Sequence, residues 1–386
     1  MTGRLVVATG LSTDPDGVAA AAEAAATAAR GLSGAPCDLA AIFVSAAHAD
    51  AAVEIAAAVH VALEPGAMIG ATGGTVAEGG REIEDRPAVA VWAAHLPDTE
   101  VEPFSLEFTE TPDGPTFLGW PSPPAGAAVI MLADPFTVPV DRLLDTVNTE
   151  QPGLTVVGGL ASGAGAPGGH RIWQGSEVAN GGAAGVVIRG RVKVRTLVSQ
   201  GCRPIGTPAT VTNAQRNVIV ELAGLPPVER LRDLWIEASP DERALIQRGL
   251  HIGRVVDEYK TEFERGDFLI RNVMGADETT GAMAVGDLVG VGETVQFHVR
   301  DAATADEDLR AAAAAVPPPA GAMLFTCNGR GSHLFGAPDH DAGVLSSVWR
   351  APLAGMSCAG EIGPVGGRVF LHGFTASLAL FYDEQA

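Results

Sequence analysis

The 386-residue sequence predicts an α/β protein of two lobes, each a mixed sheet with flanking helices. The length exceeds the roughly 250 residues at which a single hydrophobic core usually stops growing. Short, nearly continuous apolar runs alternate with Ala-rich or capped helical stretches, the pattern of strands buried on both faces. Glycine-rich segments recur behind those runs and suggest degenerate internal repeats of strand, helix, glycine loop and strand.

A first strand near Leu5 to Ala8 precedes Asp14-Pro15-Asp16, a helix start, and an Ala-rich run that stops at Gly31. Leu39 to Val44 then reads as a strand, Asp50 to Val59 as a helix, and Pro65 to Gly74 as the first glycine loop. The order returns at Ala127 to Leu132, the helix Val140 to Glu150 and the loop Pro152 to Gly163, which holds Gly158 and Gly159. It returns again at Ala322 to Thr326 and the loop Pro352 to Gly360. Each loop leads into another strand, at Ala88 to Ala93, Ala183 to Ile188 and Phe370 to Phe381. On this reading Gly70, Gly158 and Gly355 occupy equivalent loop positions.

The middle of the chain is rich in hairpin signals, with β-branched strands at Val192 to Ser199, Ala209 to Thr212 and Val218 to Val220. The polar segment Asn213 to Asn217 marks the expected boundary between lobes. Pro226-Pro227 opens a helix to about Ala238, Ser239-Pro240-Asp241-Glu242 is a capping box, and Thr304 to Glu307 reads as a second one.

A formal net charge of -21, with lysine only at Lys193 and Lys260, disfavours nucleic acid, which needs clustered cations to displace counterions. Neither a secretory leader nor a membrane span is expected. Cys37, Cys202, Cys327 and Cys358 are scattered with no CxxC pair, so neither a disulfide framework nor a metal site is expected, which suits a cytoplasmic location.

Four segments combine glycine with polar or charged residues and are the candidate site: Ser199 to Gly206, with Cys202, Arg203 and Gly206; Cys327 to Gly331, with Asn328, Gly329, Arg330 and Gly331; Gly360 to Pro364, with Glu361 and Gly363; and Leu371 to Ser377, with His372. Glycine lets a backbone approach a ligand closely, and loops at strand ends are where α/β proteins usually bind. Gly73 in the first glycine loop joins them, as do Gly158 and Gly159 in the second. An amino-acid-like ligand needs a cation or backbone N–H groups for its carboxylate, which Arg203, Arg330 and the glycine loops could supply, and an acid such as Glu361 for its ammonium group. Each of these has a plainer reading: an Arg beside Gly is often a structural clamp, Glu361 could pair with one of them, and His372 could be a half-buried, hydrogen-bonded histidine. No nucleophile elbow, Walker loop or HExxH is present, so binding is favoured over catalysis. If the protein were an enzyme, a hydrolase or transferase, Cys202 beside Arg203 would be the nucleophile.

The same four segments resemble the C-terminal hallmarks of the FIST sensory proteins, whose name refers to F-box and intracellular signal transduction proteins. Ala41 to Ser45, Ile69 to Gly74 and Val157 to Gly159 resemble their N-domain motifs. The resemblance implies a FIST N-type domain over 1–215 and a FIST C-type domain over 216–386. It implies an intracellular sensor whose small ligand sits in a cleft between the lobes, with haem in a subset that senses nitric oxide; His372 would then be the haem ligand. No cofactor is otherwise predicted. With no kinase, cyclase or receptor module in the sequence, the signal is expected to leave through a protein partner, and a homo-oligomer is compatible with this reading.

Overall fold

A computed structural model of the chain describes residues 3–112 and 114–384. They form two compact units. The first takes the described residues up to Ser199, Leu309–Leu371 and those from Thr375 on; the second takes Gln200–Asp308 and His372–Phe374.

The first unit is built from three sheets, of six, seven and six strands. Each has the same nucleus, a strand, a helix and a second strand parallel to the first: Leu39–Ser45, Ala52–Leu63 and Ala67–Gly73; Ala128–Ala133, Val140–Glu150 and Thr155–Leu160; Gly321–Cys327, His340–Trp349 and Leu353–Cys358. A closing strand runs antiparallel to each first strand, at Val89–His95, Ala183–Gly190 and Thr375–Asp383. Between the second and closing strands lies a two-stranded excursion, at Thr75–Glu78 with Arg81–Glu84, Ile172–Gln174 with Glu177–Ala179, and Glu361–Val365 with Arg368–His372.

These excursions are exchanged in a circle. The first pairs with the second strand of the third copy (Ala77 opposite Gly355), the second with the first copy (Trp173 opposite Gly70), and the third with the second copy (Ile362 opposite Gly158). The internal repeat is therefore real and in register, and Gly70, Gly158 and Gly355 are equivalent. They are mid-strand residues, however, and not loop residues as the sequence suggests. Their parallel neighbours are Ile42, Met131 and Leu324. A Cβ would stand 2.7 Å from the carbonyl oxygen of Ile42, 1.9 Å from that of Met131 and 1.9 Å from that of Leu324. Close backbone approach, not turn formation, is what these glycines allow.

Leu39, Phe43, Ile69 and Trp92 of the first sheet, Ile130, Leu132 and Val157 of the second, and Met323, Phe325 and Met356 of the third share one central core. The helices lie on the outer faces, so the nuclear strands are covered on both sides, and all seven residues of Leu39–Ser45 are buried. The helix Gly17–Gly31 is capped by Asp16, whose Oδ1 accepts from the N–H groups of Val18 and Ala19 at 2.9 Å. Its alanines lie so close to the sheet that a Cβ on Gly10 would stand 2.1 Å from the carbonyl oxygen of Ala24. Residues 46–63 are long and apolar enough, by length and composition, to cross a membrane. In the fold they place Ile55, Ala56 and Val59 in the outer core of the first sheet.

The second unit is a closed six-stranded barrel of Cys202–Gln215, Val218–Leu222, Met283–Val285, Phe268–Ala276, Leu250–Val255 and Thr294–Arg300. Leu231 and Leu234 from the helix Pro227–Glu237, and Leu245 and Ile246 from Pro240–Arg248, pack on its core. The Ser239 capping box is present.

Several sequence expectations are corrected here. Asn213 to Asn217, read as a lobe boundary, is the hairpin between two barrel strands, where a tight polar turn has the composition of a linker. Thr304 is not a helix cap; the helix Ala302–Ala314 starts earlier, and Thr304 donates to Asp301 Oδ2 at 2.7 Å while Asp301 Oδ1 accepts from the N–H of Ala303. Cys202 to Gly206 and Glu361 to Pro364 lie in strands, not loops. The single strand expected over Phe370 to Phe381 is broken by Gly373 and Phe374, the latter at a φ of 68°.

Candidate functional site

The strand Gly321–Cys327 is apolar and buried as far as Thr326, and the chain then turns through Asn328, Gly329 and Arg330. Gly331 has a φ of 60°, and a Cβ there would meet Glu84 Oε1, so the turn presses against the first excursion. Arg330 is folded back into the protein and is 2 % exposed. Its Nε donates to Asp341 Oδ2 at 2.6 Å and its Nη2 to Asp341 Oδ1 at 2.8 Å, a bidentate pair. Asp341, in the first turn of the helix His340–Trp349, also accepts from Thr326 Oγ1 at 2.8 Å and lies 2.9 Å from His340 Nδ1. Burial pushes its carboxyl up, but the charge and hydrogen bonds of Arg330, with those of His340 and Thr326, outweigh this and hold it well below the usual carboxylate range. Phe335 lies under the guanidinium, 5.3 Å from ring centroid to Cζ, and stacks on His340.

Glu82 reaches the same place from the strand Arg81–Glu84 and is 3 % exposed. Its carboxylate accepts from the N–H of Ala342, at the start of the same helix, while Oε2 has no hydrogen-bond partner among the described residues. Burial first, and the Asp341 charge second, push this carboxyl up to about 8. Arg330 Nη1 is likewise buried without a partner among the described residues.

Both residues line a cavity of about 210 Å³. All three repeats contribute to its wall, Gly74 and Thr75 from the first, Gly163 from the second, and Asn328 and Ser357 from the third. Their loops are tied together: the N–H of Gly74 donates to Ser162 Oγ at 2.9 Å, Ser162 Oγ donates to the carbonyl of Ser357 at 2.6 Å, and the N–H of Thr75 donates to Ser357 Oγ at 2.8 Å. Glu84, Asp85 and His333 line this cavity and also a neighbouring one of about 340 Å³, which Arg81, Arg86 and Asp339 help to form.

Of the residues singled out from the sequence, Asn328, Arg330 and Gly331 line this cavity, and Gly329 lies in the same turn, its N–H 3.4 Å from Cys327 Sγ. Gly73, Gly158 and Gly159 are strand residues of the first unit that allow close packing; a Cβ on Gly159 would stand 2.3 Å from Cys358 Sγ. Glu361 is fully buried and its Oε2 accepts from the N–H and Oγ1 of Thr375, while a Cβ on Gly363 would stand 2.7 Å from Ser377 Oγ.

Cys202, Arg203, Gly206 and His372 belong to the second unit. Cys202 is fully buried beside Phe268 and Ile270, Arg203 lies between Asp301 and Glu242, and the Gly206 carbonyl accepts from Gln296 Nε2. His372 is 4 % exposed.

Arg330 therefore lines a cavity whose wall belongs to the first unit alone, and the carboxylate that matches its fork is the chain's own Asp341. Sequence reasoning missed Glu82, Glu84 and Asp341. The alternating Arg81-Glu82-Ile83-Glu84 after a Gly79-Gly80 turn carries a strand signal, but nothing in it points to a partner at 330.

Two family models match the chain, FIST N domain over residues 38–225 and FIST C domain over residues 227–364. An uncharacterized protein of Mycobacterium tuberculosis strain H37Rv is 48% identical over 384 residues, covering 98% of this chain and 100% of that protein. An uncharacterized protein of Mycobacterium bovis is 45% identical over 386 residues, covering 98% and 99%.

Proposed function

Because the chain belongs to the FIST family, with its N and C domains in tandem, we propose that it is a sensory protein binding a small polar ligand in the cavity between Arg330, Glu82 and Asn328. FIST domains are associated with sensory and signal-transduction roles in which small ligands are bound. The observation that carries the reading is that Arg330 Nη1 and Glu82 Oε2, buried polar atoms without partners among the described residues, belong to two residues of one cavity wall. A buried polar atom left without a hydrogen bond costs roughly 1–3 kcal/mol, more if charged, and a ligand that supplies the missing partners recovers it. The cavity's roughly 210 Å³ far exceeds the ~10–15 Å³ of such space that one water needs, so it has room for a small molecule. The signal then passes to a protein partner.

The test is thermal melting of the full chain against a panel of small amino acids, amines and carboxylates. A ligand at about 100 times its Kd adds roughly 2.7 kcal/mol of stability. At least one class should raise the melting temperature, and Asn328→Leu, which blocks the cavity with an apolar group, should abolish the rise. A panel without effect, or a rise that Asn328→Leu leaves intact, would remove the cavity as the ligand site.

A further inference from the structure

The charges around the cavity decide which ligand it suits. Among the described residues Arg330 is the one lysine or arginine in its wall, and two of its guanidinium nitrogens are held by Asp341, so the pair presents little net charge. Three further acids remain in the wall, Glu82, Glu84 and Asp85. Glu84 Oε1 accepts from the N–H of Ser332 at 3.0 Å, a neutral donor that leaves its charge in place. A free carboxylate entering here meets like charges and a guanidinium already matched. A cation meets acids on several sides. Arg330 Nη1 still lacks an acceptor, and an uncharged oxygen supplies it without adding negative charge.

Resting on the assignment of the ligand to this cavity, we propose that it selects a small primary ammonium ion carrying an uncharged oxygen acceptor, as in an amino alcohol or an amino amide, over a zwitterionic amino acid. The ammonium group docks at Glu82 and the neutral oxygen at Arg330 Nη1.

The docking is an exchange of cations. Glu82 is faced by Asp341 and Asp339 on the helix His340–Trp349 and its cap, by Arg330 on the turn, and by Glu84 on its own strand; Asp339 Oδ1 accepts the N–H of Glu82. In the empty cavity its carboxyl, pushed up to about 8, is protonated at neutral pH. The arriving ammonium ion stabilises the carboxylate, and the Glu82 proton leaves to solvent; charge is conserved, one cation entering and one proton departing. Binding therefore tightens as pH rises towards 8 and levels off above it, as long as the amine stays protonated.

The experiment is calorimetric titration of the full chain at pH 7 with ethanolamine, glycinamide, glycine and acetate, each in phosphate and in HEPES, whose ionisation heats differ. Ethanolamine and glycinamide should bind at least about tenfold more tightly than glycine, which is roughly 1.4 kcal/mol, and acetate weakest of all. The difference in heat between buffers should report close to one proton released, and Glu82→Gln should abolish that release. Glycine or acetate binding as tightly as the amines would overturn the selectivity while leaving the cavity as a ligand site. Amine binding without proton release in the wild-type protein would overturn the exchange at Glu82. No heat and no melting shift with any of these probes, together with a silent panel in the melting test, would remove the cavity itself.

Discussion

Arg330 and Asp341 form a two-bond ion pair with both side chains fully buried, on the turn and the helix that follow one strand. Such a pair holds a loop in one place because either partner alone is costly in a protein interior. Asp341→Leu should therefore destabilise the first unit by roughly 3–5 kcal/mol, and Arg330→Met by a similar amount. Arg330→Met combined with Asp341→Leu should cost much less than the sum. Urea unfolding of the full chain, read as a double-mutant cycle, checks this; additive losses would show that the two side chains are not coupled.

Glu82 gives the first unit a pH dependence of unusual sign for a carboxyl group. Its carboxyl is raised from 4.5 to about 8 in the folded chain, so its contribution is fully present below 4.5 and is lost as pH rises through 8. At about 1.4 kcal/mol per unit this is a few kcal/mol at most. Glu82→Gln should flatten the decline in stability between pH 5 and 9 and be the more stable form at the alkaline end. Denaturant titrations across that range would decide it, and parallel curves for the two proteins would count against it.

The barrel should lose stability in acid. His251 and His298 stand opposite each other on neighbouring strands, 5 % and 0 % exposed. Burial lowers both rings from 6.5 to about 4; the Arg300 charge adds to this for His251, and the His251 charge does so for His298. The folded state keeps them neutral, so their contribution is present above 6.5 and is lost as pH falls through 4, by roughly 3 kcal/mol for each ring. His251→Gln should weaken that acid dependence, measured by tryptophan fluorescence or amide exchange in the barrel strands. An unchanged acid midpoint would show that the rings do not control it.

Gly158→Ala and Gly355→Ala should each destabilise the first unit by roughly 1–3 kcal/mol or more, because the new methyl group meets a carbonyl oxygen at 1.9 Å. Gly158 also has a φ of 151°. Gly165→Ala, with nothing within 4 Å of its Cβ position, is the control and should stay within about 0.5 kcal/mol. Melting temperatures of the three variants suffice; equal values would refute the packing role.

Local chemistry made much of the fold legible. The helix Val140–Glu150 was readable in its approximate extent, and the Ser239 capping box from its four residues, since both are set by neighbours in the chain. The turn from Cys327 to Gly331 was readable as a candidate site because a buried strand ends there among glycines and charges. The glycines were misread because a glycine required by a close neighbour and one required by a turn are the same letter.

By itself the sequence determined the alternation of strands and helices, the repeat, the family and one half of the candidate site. Periodicity, capping and motif are properties of contiguous residues. Only the tertiary structure decided that the excursions are exchanged among the three sheets, which brings Glu82 to Arg330 across 248 positions of chain. It also decided that Asp341, eleven residues on, takes the guanidinium that a ligand carboxylate could otherwise have used. Both outcomes depend on which apolar faces cover one another and on which charges are then buried together, and neither quantity exists until the sheets have closed around their shared core.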